Sequence, residues 1–304
     1  MAPLQRLSRR ALLRLAGSLP AGALLAACGG TASPNVLSDA PQDDSREATA
    51  SPTPAPPFVV PAGEQERLLM ARTPHETPLY VYGSGLPGPV LVVLGGVHGN
   101  EPGGWQAAER IQASLRPNTG ALLVAPRANK LAIKDLVRTT DDLGDLNRLY
   151  PGEQDGLPMA RMAFEIVEIL RELHATILLD LHESWAFYRD RPPNGGTAYL
   201  GQTISSRDEP GASLARNVVE AVNGRIRSPQ EEFTFREWPP RGSDANAPAG
   251  APNSFGGSRS SLGLSAHVPG LATLLVEMGQ QQSLERRIAL HVDVVKEVAS
   301  RIGL

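Results

Sequence analysis

Six apolar runs of strand length punctuate the chain between residues 79 and 279, and they constrain its fold more than any other feature. They are LYVYG (79–83), PVLVVLGG (89–96), GALLVAPR (120–127), ATILLDLH (175–182), TAYLG (197–201) and LATLLVEMG (271–279). Several have continuous apolar faces, so both sides of the strand must be covered, as in a mostly parallel sheet flanked by helices. Helical candidates lie at 103–115, 158–173, 211–223 and 283–302. The last sets Leu284, Ile288, Val292, Val295, Val298 and Ile302 at steps of three and four, with Ser283 as its N-cap. The predicted class is therefore α/β: a single domain over 59–304, built on a mixed, mostly parallel twisted sheet with helices on both faces.

The N-terminus reads as an address. Paired arginines in SRRALLR (8–14) precede an apolar run that ends in Leu25-Ala26-Ala27-Cys28, and Cys28 is the single cysteine of the chain. This is the pattern of a twin-arginine-like signal peptide over 1–27 closed by a lipobox, with Cys28 as the lipidated residue that anchors the protein to a membrane. Residues 28–58, rich in Pro, Ser and Ala, then read as a flexible tether. The expected location is the bacterial cell envelope, lipid-anchored after export. No internal disulfide can form, and no nucleic-acid partner is expected, because the net charge is −3 and no Lys/Arg cluster lies outside the N-terminus.

Chemistry-bearing residues stand at the ends of the apolar runs. In GGVHGNEPGG (95–104), His98 and Glu101 lie three apart and would face opposite ways on a strand. The glycines and Pro102 permit a turn that brings them together as two thirds of a His2Glu zinc site, although a loop histidine beside a solvated glutamate is as common. His182 ends another run, with Asp180 two residues earlier on the same face. A carboxylate there costs several kcal/mol unless paired. Asn147 and Arg148 adjoin in DLGDLNRLYPG and suit bidentate capture of a carboxylate. Glu277 closes the last run, where a general base and a buried salt bridge are both reasonable readings. Glu183 rivals it as a base, but strand alternation points it away from His182.

Taken in order, GGVHGNE, DLNR, DLH and VEMG resemble the succinylglutamate desuccinylase/aspartoacylase branch of the zinc carboxypeptidase superfamily, over about residues 78–300. The resemblance implies one Zn2+ per chain, held by His98, Glu101 and His182. It makes Glu277 the glutamate that takes a proton from the attacking water, Asn147 and Arg148 the holders of the substrate's free carboxylate, and Arg138 the group that polarises the scissile carbonyl, with Arg127 its rival. Asp145 matches the acid that orients a ligating histidine, and Asp180 is a second carboxylate behind the ligands.

Implied, then, is a zinc hydrolase that cuts an amide next to a free carboxylate in the manner of an N-acyl amino acid deacylase. A carboxypeptidase acting on peptides or cell-wall stem peptides is the alternative, and a non-catalytic solute- or metal-binding lipoprotein is the rival from another class. Oligomeric state is not set by these residues. The Gly/Pro/Ser-rich stretch 238–270 is expected to be a lid or disordered, and it lacks the substrate-facing tyrosine of the carboxypeptidases.

Overall fold

The computed structural model describes residues 57–237 and 259–304. The expected leader over 1–27, with Cys28, lies outside the described residues. So does the tether over 28–58 except for its last two positions, of which Phe58 stacks on His174.

Within Ala55–Leu304, eight strands form one sheet. They are β1 (Gly63–Leu69), β2 (Thr77–Gly83), β3 (Val90–Leu94), β4 (Ala121–Ala125), β5 (Ile177–Ser184), β6 (Thr203–Ser206), β7 (Thr234–Glu237) and β8 (Ala272–Gly279). The spatial order is β1-β2-β4-β3-β5-β8-β6-β7, parallel through β4, β3, β5 and β8, with antiparallel pairings at β1–β2, β2–β4 and β8–β6.

Side-chain alternation splits the core in two. Leu79, Val81, Val92, Leu94, Leu123 and Leu178 pack with α3 (Pro158–Glu172) on one face. On the other, Leu91, Val93, Leu122, Leu179, Leu181, Leu274 and Val276 pack with α1 (Pro102–Ser114), α4 (Glu209–Asn223) and α5 (Leu284–Arg301). The continuous apolar strands are thus buried on both sides, as their sequences require.

Three differences from the sequence reading have physical reasons. TAYLG (197–201) is not a strand: residues 196–198 form a 3-10 turn, and the chain enters the sheet only at β6, whose TISS carries little apolar signal. β1, GEQERLL, is an edge strand whose charged, exposed side chains hide it from a hydrophobic reading. α2 (Lys130–Asp135) is a short helix capped by the Asn129 side chain.

Beyond β3 the backbone turns on glycines. Gly96 has φ of 69°, and Gly99 lies so close to the Ala132 carbonyl that a Cβ would overlap it. Gly99→Ala must therefore displace the turn or α2. Overpacking of this kind costs ~1–3 kcal/mol, and thermal unfolding of the variant is expected to show a midpoint several degrees lower.

Candidate metal centre

The site lies at the carboxyl edge of the parallel strands, where clefts of open α/β sheets form. The turn after β3 carries His98 and leads to Glu101 at the N-cap of α1. His182 on β5 and Glu277 on β8 are register partners and so share a face. The loop before α3 contributes Asp145, which caps the 3-10 turn Leu146–Arg148 by accepting the Asn147 N–H at 2.9 Å.

Glu101 is the hub. Its Oε1 is 2.7 Å from His98 Nδ1, and its Oε2 is 2.9 Å from His182 Nδ1. The two Nδ1 atoms stand 3.1 Å apart, and one donor atom from each of the three residues fits within a span of 4.8 Å. All three side chains are buried. Two imidazole nitrogens facing each other at that distance repel unless a proton or a cation lies between them, so the donor set fits a divalent metal ion of the borderline, N/O-preferring kind.

The outer nitrogens point to carboxylates. His98 Nε2 is 3.1 Å from Asp145 Oδ1, and His182 Nε2 is 2.9 Å from Asp180 Oδ2, the arrangement that orients metal-binding imidazoles. Burial would raise Glu101's carboxyl, but His98 and His182 hold it far below the usual range. Burial likewise works to raise Asp145, which the His98 hydrogen bond and Arg138 overcome. Burial would lower His182, yet Asp180 and Glu101 raise it well above the ordinary histidine value.

Glu277 is buried in the same cleft, accepts the Ser184 hydroxyl at 2.9 Å, and is pushed up to about 6 by burial, against the pull of His182. Arg138 reaches Glu101 Oε1 at 3.4 Å and Asp145 Oδ2 at 3.1 Å, while Arg127 is turned to Glu109 and Trp105. Between the two arginines, the cleft therefore holds Arg138. Asn147 Nδ2 is 3.4 Å from His182 Nε2, and Arg148 folds onto the Asn147 carbonyl at 2.7 Å. Glu183 points to the opposite face, as alternation predicts, and pairs with Arg287 at 2.6 Å.

The cleft is also lined by Thr197, Leu200, Arg236, Ser260 and Leu262, none of which the sequence reading selected. Ser260 and Leu262 correct the expectation for 238–270. Residues 238–258 lie outside the described residues, but 260–264 form a buried wall whose Ser261 N–H donates to Asn147 Oδ1 at 2.9 Å. The wall had no signal in the sequence, because SRSSLGLS lacks strand or helix periodicity.

The eight-stranded mixed sheet and its helices make a single α/β domain whose fold matches that of zinc carboxypeptidase-like proteins. Residues 87–186 match the Succinylglutamate desuccinylase/Aspartoacylase catalytic domain. Over 98 residues the chain is 33% identical to the N-alpha-acetyl-L-2,4-diaminobutyric acid deacetylase of Halomonas elongata, a match spanning 31% of this chain and 28% of that one. Among solved structures, product-bound Cell Shape Determinant protein Csd4 of Helicobacter pylori is similar at 18% identity, covering 71% of this chain and 51% of its own, with a TM-score of 0.59. The succinylglutamate desuccinylase/aspartoacylase of Rhodobacter sphaeroides is similar at 19% identity, covering 83% and 69%, with a TM-score of 0.55. The chain thus spans about a quarter of the curated relative's length and half that of Csd4.

Proposed function

We propose that the chain is a metal-dependent hydrolase of an amide bond next to a free carboxylate, with N-acyl amino acids as the first substrate class. The observation that carries this reading is the convergence of His98, Glu101 and His182 in a cleft that also holds Glu277. Zinc is the ion proposed, held by those three side chains; when bound it supplies a Lewis acid that polarises a carbonyl and makes water more acidic at neutral pH.

The chain's own residues do the rest. Glu277 accepts a proton from the attacking water and returns it to the leaving nitrogen, a task suited to a carboxyl held near 6. Ser184 fixes its orientation. Arg138 donates to the carbonyl oxygen as negative charge develops there. Asn147 and Arg148 bind the substrate's carboxylate, the guanidinium leaving the Asn147 backbone carbonyl to do so. Asp145 and Asp180 hold the imidazoles with Nδ1 inward. Leu200, Leu262 and Leu275 limit water in the cleft.

A peptide substrate is the second reading, favoured by the export-like residues 8–28 and the proposed lipid anchor at Cys28. Csd4, described as a D,L-carboxypeptidase, has been solved with a tripeptide and with mDAP. Zinc-loaded protein assayed on N-acyl amino acids, on peptides with a free C-terminus and on their amidated forms separates the readings; turnover of none of them would refute the hydrolase assignment. Arg148→Ala is expected to raise KM for free-carboxylate substrates by about 10- to 100-fold, the worth of a charged hydrogen bond, and to leave any slow cleavage of amidated analogues unchanged.

A further inference from the structure

We infer that Glu183, held by Arg287 and Gln280, is a positioning residue for the metal ligand Glu101; this rests on the proposed metal-binding role of Glu101. A residue at a helix N-cap ordinarily turns its side chain back onto the first N–H groups. Glu101 makes no such bond to α1, because both its oxygens face the imidazoles. The positive end of the helix is left without its usual acceptor.

From β5, Glu183 brings its carboxylate against that helix end. Its side chain lies on the face of the sheet that carries α1 and α5 and is 5% exposed. Its Oε1 packs so tightly on the first turn of α1 that a Cβ on Gly103 would overlap it. The Oε2 accepts from Arg287 Nη1 at 2.6 Å and from Gln280 Nε2 at 3.4 Å. At the same time the backbone N–H of Glu183 donates to Glu101 Oε2 at 3.0 Å. Gln280 closes the circuit, since its Nε2 also donates to the carbonyl of Asn100, next to the ligand, at 2.9 Å. One residue thus balances the helix end with its carboxylate and aims the ligand with its amide, while α5 and the end of β8 fix it in place.

The test uses the full chain and zinc alone, with affinity read by competition with a chromophoric chelator and ligand geometry read from the visible spectrum of the Co2+-loaded protein. Outer partners of metal ligands typically carry 10- to 100-fold in affinity. Glu183→Ala is expected to weaken zinc at least tenfold and to alter the Co2+ bands. Gln280→Ala, a milder change that leaves the buried pair intact, is expected to weaken zinc several-fold and decides the matter if Glu183→Ala does not fold. Leu170→Ala, in the opposite core layer, serves as control: it is expected to lower the unfolding temperature without changing affinity or spectrum.

Wild-type affinity in Glu183→Ala and Gln280→Ala, or an equal loss in Leu170→Ala, would overturn this inference alone. A wild-type chain that takes up no zinc would overturn the metal reading and this inference with it.

Discussion

Glu277→Gln is expected to lower kcat by about 10²- to 10⁴-fold, the usual worth of a positioned acid or base, while zinc content and KM stay close to wild type. The amide keeps the shape and can still accept the Ser184 hydroxyl, but it cannot take up a proton. Its neighbours make the effect selective. Glu277 is the register partner of His182 and faces the same cleft, yet it is not one of the three residues whose donor atoms converge. The nearby Glu101 carboxylate opposes the charge on Glu277, as does burial. Neutralising it therefore removes an electrostatic cost, and the variant is expected to unfold at the same temperature as wild type or higher, an exchange of stability for activity common at such sites. Steady-state kinetics beside metal analysis and thermal unfolding check all three parts. Full activity in Glu277→Gln would leave the glutamate without its proposed role, whereas ligand binding unchanged by the substitution, with no turnover in either form, would favour a lipoprotein that only binds.

The parallel centre of the fold was legible because β3, β4, β5 and β8 are apolar on both faces, a pattern with few other solutions. His98, His182 and Glu277 stood out for the same reason: a polar side chain at the end of such a run needs a purpose. What stayed hidden was polar structure at the margins. β6 and β7 read TISS and TFRE, and they take their place from pairing with β8 and each other rather than from their own hydrophobicity.

α5 shows a subtler limit. Its apolar spacing predicts the helix, but the buried stripe runs through Arg287 and His291 as well as Ile288, Val294, Val295 and Val298. A stripe drawn from apolar residues alone passes over those two polar positions, although their i, i+4 spacing sets both on the inward face. Arg287 is where the helix meets Glu183, so the support behind Glu101 was invisible until β5 and α5 were placed together.

His182→Ala is expected to do two separable kinds of damage. Loss of one of three ligands should reduce zinc affinity by orders of magnitude and bring amide hydrolysis to background, because the remaining pair no longer closes a site. The second kind concerns the protein without metal. Asp180 lies inside β5 at 1% exposure, and among the described residues its close polar contact is His182 Nε2 at 2.9 Å. Tyr150, also fully buried, has a hydroxyl with no hydrogen-bond partner among the described residues, and burial together with Asp180 raises its pKa well above the ordinary value. Removing the imidazole leaves a carboxylate stranded in this apolar setting, a loss of ~3–5 kcal/mol, or roughly 10 °C for a domain of this size. Changing Asp180 to Asn in the same chain removes the stranded charge, so Asp180→Asn/His182→Ala should recover much of the stability and none of the zinc affinity. That divergence, followed by calorimetry on metal-free protein and by zinc titration, would separate the part of Asp180 that serves the fold from the part that serves the ligand. If the double variant were as unstable as His182→Ala, the destabilisation would come from the cavity left by the ring and not from the unpaired charge.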